Sequence, residues 1–410
     1  MKRLFGFALA GLLLLGVFSA PAMAGGDTIR VMTRNQYLGA DLTPVITAGT
    51  DDEFITAANV AFAQIAANNF RLRARRLATE VALTKPDVLV LQEVFDFKLN
   101  GSNADPPSPF LDHLTETLNA LDAIGQNYVE AARVVNFDLQ DIEITLDTDG
   151  DGFPDTPGLV SVTDRDVILV REGIAVTDLT GYFNTGGLCG VPVPTPDSAS
   201  PPFPPTLTST VSRHGCNYTA AVEFESDLLG PITIPRGFVG VDVTVRGEIY
   251  RVVDTHLEVR EVPPGNTNSR ILQSLQAVEL MGTLAATTPS NRKLIVAGDF
   301  NSSDEDVSVG GIIPPYQIIT GTFIPGISFE DIWDTNPLKI FDPNGWTCCQ
   351  LDDLSNIRSE LDERIDIIFV RDSNFLPLAY VTGRIPIFPL WFPPNWASDH
   401  GGVFSNLIFR

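Results

Sequence analysis

Residues 293–301 read KLIVAGDFN, an apolar, β-branched run that ends in Gly298, Asp299 and Asn301. A short apolar run bounded by turn residues reads as a buried strand, which puts the polar group at the strand's C-terminal end. Taken alone, Gly-Asp at a strand end is turn chemistry. The layout recurs in both directions along the chain. Downstream, Arg364-Ile365-Asp366 begins another apolar run and Ser398-Asp399-His400 precedes the last one. Upstream, Thr255-His256-Leu257-Glu258 follows YRVVD, Gln92-Glu93 follows DVLVL, and Asn35 follows IRVMTR. Each signal is weak by itself, since a Gln-Glu pair after a strand is usually a turn and a lone His usually structural. Their joint occurrence is what carries weight. The chain has four histidines and two fall in these signals. The other two, His113 and His214, read as ordinary surface or loop residues.

The apolar runs predict strands over 28–33, 87–91, 166–170, 238–245, 249–254, 293–297 and 365–370. Two helical patterns stand between them. One covers 52–83, with Asp51 or Asp52 as its cap, and stops before Pro86. The other covers 268–284, with Ile271, Leu272, Leu275, Val278 and Leu280 near helical spacing. Arg71, Arg73, Arg75 and Arg76 read as a solvated face of the first helix, Arg76 pairing with Glu80 one turn on. Arg270 and Gln273 on the second read as structural. Strands separated by helices, with Gly/Pro-rich hairpins elsewhere, suggest a mixed α/β sandwich. A 44% hydrophobic content supplies a sizeable core, divisible into one large domain or two.

The first residues read as an address. Lys2 and Arg3 are followed by an apolar stretch over 4–17 and the small-residue site Ala22-Met23-Ala24. That is the layout of a cleaved secretory signal peptide, so a secreted or periplasmic protein beginning near Gly25 is expected. Ser19 and Pro21 argue against an uncleaved anchor. The formal net charge is −24, and losing Lys2 and Arg3 makes it two units more negative. Such a surface repels polyanions over a Debye length of about 8 Å, which disfavours tight nonspecific DNA binding. It also suits extracellular divalent cations.

Four cysteines in an oxidising compartment invite disulfides in one of three pairings. Cys189 and Cys216 flank a Pro/Ser/Thr-rich insertion near 184–215, and a bridge between them would staple it. Cys348 and Cys349 are adjacent, leaving a vicinal disulfide and two buried thiols both open. Residues 147–158 carry Asp147, Asp149, Asp151 and Asp155 at positions one, three, five and nine, with Gly152 at six. This alternation wraps hard oxygen ligands around Ca²⁺, and the glycine permits the sharp turn. Gly158 stands where an EF-hand has its bidentate Glu, so the segment resembles the calcium loops of extracellular Asp-rich repeats. The expected role of that ion is structural.

The ordered set Asn35, Gln92-Glu93, His256, Gly298-Asp299-Phe300-Asn301, Asp366 and Ser398-Asp399-His400 resembles the endonuclease/exonuclease/phosphatase superfamily. That group includes DNase I-like nucleases, apurinic endonucleases, inositol-polyphosphate 5-phosphatases and neutral sphingomyelinases. The resemblance runs from about Thr28 to the C-terminus, so residues 25–410 would form one such domain with insertions near 147–158 and 184–215. It implies a four-layer α/β sandwich, two mixed β-sheets packed face to face with helices outside. It also implies a metal-dependent phosphoric ester hydrolase. Glu93, aided by Asn35 and Asp399, would hold Mg²⁺ or Mn²⁺, which prefer oxygen ligands. Asp299 would orient or deprotonate the attacking water, Asn301 would donate to a phosphate oxygen, and His256 would stabilise phosphate charge. His400 is the first choice for general base, with Asp366 accepting its other N–H and fixing the tautomer; the Asp299 equivalent is the other choice.

Residues 385–396, rich in prolines, carry Phe388, Trp391, Phe392 and Trp396 directly ahead of Ser398-Asp399-His400. A buried loop is one reading. The other is an exposed aromatic patch at the mouth of the site, similar to the lipid-dipping hairpin of bacterial sphingomyelinases. The expected substrates are therefore phospholipid or sphingomyelin-type headgroups at a membrane surface. A secreted nuclease cleaving DNA or RNA is the alternative, and no clear basic track for a duplex is visible. A calcium-binding surface module without catalysis is the third reading, and the filled chemical positions weigh against it. No protein partner is implied.

Overall fold

The computed structural model describes residues 27–100, 108–147, 150, 152–183, 189, 211–212, 215–226, 230–261, 268–371, 374–386 and 396–410. The predicted signal peptide, most of the 184–215 insertion, Asp149, Asp151, His214, Trp391 and Phe392 lie outside the described residues.

Two eight-stranded mixed sheets form the centre. In the first, Phe375–Thr382, Gly402–Phe409, Asp27–Asn35, Val88–Gln92 and Thr156–Arg171 are neighbours in that order. In the second the order is Glu330–Asp331, Asp366–Val370, Lys293–Asp299, Glu248–His256 and Gly237–Val245. Each sheet contains one parallel pair among antiparallel ones: Asp27–Asn35 with Val88–Gln92, and Glu248–His256 with Lys293–Asp299. A parallel pair needs a crossover, and helices supply both. Both pairs thus bring two C-terminal strand ends side by side, where the polar signals lie.

The sandwich is visible in how side chains divide. Ile29, Val31, Val88, Val90, Ile168 and Val170 of the first sheet form one core with Val239, Val241, Val252, Ile295, Ile368 and Val370 of the second. The outer face of the first sheet packs on helices through Leu89, Leu91, Phe70, Leu77 and Val81. The outer face of the second packs through Val253, Val296, Phe369, Leu280 and Leu284. These are the four layers of the expected α/β sandwich. Central strands buried on both faces read as continuous apolar runs, and each fully buried Val or Ile contributes about 1.5–3 kcal/mol.

The first helical pattern is two helices, Asp51–Ala67 and Phe70–Thr84, with Asn69 between them in the left-handed region at φ 44°. The cap is Thr50, whose hydroxyl accepts from the Glu53 N–H, in place of Asp51 or Asp52. Arg73 is also not on a solvated face. It is buried, and its guanidinium donates to the carbonyls of Asn68, Gln36, Tyr37 and Ala397. Arg71 pairs with Glu116, Arg75 is exposed, and Arg76 lies 3.9 Å from Glu80.

Beyond the sandwich, Tyr128–Leu146 and Thr156–Arg171 pair as a long hairpin whose register shifts at three places. Such bulges bend a ladder. The far half of the hairpin lies over the helix Asp51–Ala67, where Ile144, Leu146 and Val160 pack with Ala58. At its tip the Asp147 carboxylate accepts from the backbone of Gly150 and Gly152. Cys189 is bonded to Cys216, and Cys348 to Cys349. Among the described residues, no helix is long and apolar enough to cross a membrane.

Candidate active site

The parallel pairs set the site's floor. Asn35 is in register with Gln92, His256 with Asp299, and Asp299 in turn with Asp366 on the antiparallel neighbour. Gly298 lets the second pair close: a Cβ there would sit 1.9 Å from the carbonyl oxygen of Thr255. The glycine of the sequence signal thus serves packing, and the aspartate after it projects into the site.

The side chains named from the sequence come together. The Asn35 amide donates to Glu93 Oε1 and to Asp299 Oδ2, both at 3.0 Å. Its carbonyl oxygen accepts from the Tyr37 N–H. Glu93, at φ 55°, takes its second bond at Oε2 from the Leu38 N–H. Asp299 lies 3.6 Å from His256 Nε2 and 3.8 Å from His400 Nδ1. His400 Nδ1 stands 2.8 Å from Asp366 Oδ2, while Nε2 is 4.0 Å from Asp399 Oδ1 and 3.9 Å from Cys349 Sγ. Asn301, at φ 46°, donates from its side chain to Leu257 O and lies 3.2 Å from His256 Nε2. Asp299 Oδ1 fixes that turn by accepting from the Asn301 N–H.

Burial and like charge dominate the electrostatics. Burial pushes Asp299 up to about 7, Asp366 adds to the push, and His400 with the Asn301 and Asn35 donors pulls back. Burial likewise pushes Asp399 up to about 6; His400 opposes this and Glu93 adds to it. Burial alone would lower the His400 imidazole, but Asp366, Asp399 and Asp299 outweigh it and hold it well above its ordinary value. His256 moves the other way, driven down by burial, Arg236 and His400. Two histidines in one site are therefore set apart, one favouring the cation and one the neutral ring.

Several residues here were missed from the sequence. Arg236 Nη1 lies 3.1 Å from His256 Nδ1. Both ring nitrogens thus face N–H donors, the guanidinium at Nδ1 and the Asn301 amide at Nε2, which disfavours a proton on either and agrees with a neutral ring. Arg236 immediately precedes the strand Gly237–Val245, whose Gly237 is in register with His256. Thr347 Oγ1 accepts from the Asp366 N–H, and Arg34 donates to the His400 carbonyl. Gln273, read as structural, is buried and donates to the Glu258 and Asn301 carbonyls. His113 is buried as well, stacked on Phe70 with ring centroids 3.6 Å apart, its Nδ1 3.2 Å from the Glu93 carbonyl. Trp396 is buried against Tyr37 and Leu354, with Nε1 donating to Asn356 O, so it does not contribute to an exposed patch.

The donor set suits a hard divalent cation. Asp399 feels the Glu93 carboxylate as a like charge, and a nearby cation would offset that repulsion. Asp299, Asp366 and His400 form a second group whose ligand atoms lie within 4.8 Å of one another. Asp366 Oδ1, buried there, has no hydrogen-bond partner.

The family this chain matches makes it a hydrolase acting on phosphoesters. The chain belongs to the Endonuclease/Exonuclease/phosphatase family, whose sequence model matches residues 57–400. Members of this family typically use divalent metal ions. Similar solved structures include the endonuclease/exonuclease/phosphatase from Bacteroides vulgatus, at 15% identity and TM-score 0.47, covering 94% of this chain and 100% of that one. The protein of the same description from Beutenbergia cavernae is 18% identical, with TM-score 0.46 and coverage of 93% and 72%. The TDP2 of D. rerio, humanized by 14 mutations, is 14% identical, with TM-score 0.44 and coverage of 93% and 98%. No curated protein matches the sequence.

Proposed function

We propose that this chain is an exported, divalent-cation-dependent phosphoester hydrolase that acts on phospholipid or sphingomyelin-type headgroups. The observation that carries the chemistry is the joining of Glu93, Asn35, Asp299 and His400 by contacts of 3.0, 3.0 and 3.8 Å, although they are far apart in sequence. Glu93 and Asp399, with Asn35 in support, would hold Mg²⁺ or Mn²⁺, which neutralises phosphate charge and polarises the P–O bond. At pH values above its raised pKa, where the ring is neutral, His400 accepts the proton of the attacking water at Nε2, while Asp366 holds Nδ1–H and stabilises the imidazolium. Asp299 orients that water. Neutral His256 and the Asn301 amide stabilise negative charge as it builds on the phosphate oxygens.

Three features support the finer reading. The basic start and apolar stretch at 1–24 favour export of residues 25–410 as one catalytic unit with two insertions. The acidic net charge of −24 disfavours a long polyanionic substrate. Trp391 and Phe392 stand a few residues before Asp399 and His400, a composition suited to a membrane interface. Calcium at Asp147, Asp149, Asp151 and Asp155 would brace the hairpin tip; calorimetry finding no uptake, or uptake unchanged by Asp149→Ala, removes that ion.

The test is a substrate panel. Purified protein with Mg²⁺ or Mn²⁺ is offered phosphatidylcholine and sphingomyelin vesicles, plasmid DNA, RNA and simple phosphate esters. Headgroup release from vesicles is expected. Plasmid or RNA cleavage with intact vesicles assigns a nuclease instead, and hydrolysis of nothing in the panel leaves a binding module. Trp391→Ala with Phe392→Ala is expected to weaken vesicle binding; unchanged binding removes the membrane argument.

A further inference from the structure

Beside Glu93 the molecule opens into a cleft of about 370 Å³, within the range of about 300–1,000 Å³ usual for ligand pockets. Its polar lining is Glu93, Asp164, Arg236, Glu258 and Glu261, with Asp41 and the hydroxyls of Thr43 and Thr47, and Arg236 is the residue that contacts His256. From there it lies between the helices Thr43–Ile46 and Asp51–Ala67, the far half of the long hairpin, and the small sheet Val222–Ser226 with Gly230–Ile234. Asp164 apart, the hairpin and the small sheet contribute only apolar side chains to the lining, Phe137, Leu139, Ile142 and Ile232 among them.

Phe54, Phe62, Phe137, Leu139 and Ile142 line this cleft and are only half-buried, the first two and Ile142 packing on the small cluster under the hairpin. Half-buried aromatic and branched groups facing one cleft are a surface that the hydrophobic effect favours covering, at roughly 25 cal/mol per Å². A sugar or nucleobase would meet few hydrogen-bonding groups along those walls. A hydrocarbon chain would meet what it needs. The cleft is continuous with the proposed catalytic carboxylate, so whatever fills it is joined to the phosphoester.

We infer that this cleft binds one hydrocarbon chain of an amphiphilic phosphoester whose phosphate lies at Glu93. This rests on the lipid reading above and narrows it: the enzyme recognises the tail as well as the headgroup. The cleft sorts substrates by chain length, and the apolar contacts made there place the P–O bond against His400.

The test uses p-nitrophenyl alkyl phosphodiesters, methyl through decyl, each below its critical micelle concentration, with the full mature chain and Mg²⁺ or Mn²⁺. In the wild type kcat/KM is expected to rise about two- to fourfold per methylene and then level off as the cleft fills. Ile142→Trp is expected to flatten the series while leaving the methyl ester's rate unchanged; Leu139→Trp replaces it if that variant does not fold. A flat wild-type series alongside active vesicle hydrolysis overturns the cleft and leaves the lipid reading standing. A flat series with untouched vesicles and cut plasmid overturns both. A series that steepens only in Trp391→Ala/Phe392→Ala assigns the cleft to the chain's own aromatic segment and overturns the proposal.

Discussion

Asp366 Oδ2 stands 2.8 Å from Nδ1 of His400, and both residues are buried. The carboxylate fixes the ring's tautomer and favours its protonated form, so Asp366→Asn removes the charge while keeping the shape. We expect kcat to fall about a hundredfold or more, the usual scale for losing general acid–base help. The acid limb of the kcat–pH profile should move to lower pH, because Asp366 raises the His400 pKa and its loss lowers it. An acid limb that stays in place in this variant would show that His400 is not the base.

The Asn35 amide bridges Glu93 and Asp299, and Asp399 feels Glu93 as a like charge. Binding a divalent cation to the native state stabilises it by about 2.7 kcal/mol at a hundredfold excess over Kd. Mg²⁺ or Mn²⁺ should therefore raise the Tm of the wild type and leave that of Glu93→Gln nearly unmoved. Chelation should abolish hydrolysis and readdition restore it. A Tm that responds equally in both proteins places the cation elsewhere.

Arg73 ties the start of the second helix to segments that lead into the site, because Gln36 and Tyr37 follow Asn35 and Ala397 precedes Ser398. Its guanidinium also lies over the Phe70 and Tyr37 rings. Replacing it with Leu leaves several buried carbonyls without donors, each costing about 1–3 kcal/mol. A lysine cannot reproduce the planar fork. Urea unfolding should show both Arg73→Leu and Arg73→Lys less stable by more than about 2 kcal/mol, whereas Arg75→Leu, at an exposed position, stays within about 0.5 kcal/mol. Equal stability of the Arg73 and Arg75 variants would contradict the structure.

What could be read in the sequence was what the chain encodes locally. Residues 88–92, 250–256 and 294–299 are buried on both faces, so those strands read as largely apolar runs, and the polar residue ending each one marks the site. What could not be read depends on distant partners. Arg73 resembles its exposed neighbours, and its acceptors lie as far away as Ala397. His113 meets Phe70 only through packing of one helix on another. The break at Asn69 is held by Asn68 donating to Gly39 and Asp352, invisible within an otherwise helical pattern. The long strand Tyr128–Leu146 escaped notice because its bulges interrupt the alternation that would have revealed it. Arg236 left a usable signal, since its place ahead of a strand antiparallel to the His256 strand sets it beside that histidine.

Between the sheets, just beneath the site, Asp166 and Asp254 are fully buried, and Gln92 and Asn136 donate to them. Burial drives both well above the usual carboxylate range; Asp254 adds to the push on Asp166. Asp164 alongside is pushed up to about 6, chiefly by burial. A carboxyl whose native pKa exceeds its unfolded value of about 3.9 favours folding below that value and withdraws the support as pH rises through the native pKa. For Asp164 the window is pH 4 to about 6, and for the other two it opens at the same point and extends higher. Asp254→Asn keeps a carbonyl oxygen for the Gln92 amide and removes the titration. The variant should gain Tm over the wild type as pH climbs from 4 to 8, with the gap smallest at the acid end. Thermal melts at several pH values in a single low-salt buffer series measure it. A gap independent of pH would mean that Asp254 is already charged and paired in the native protein.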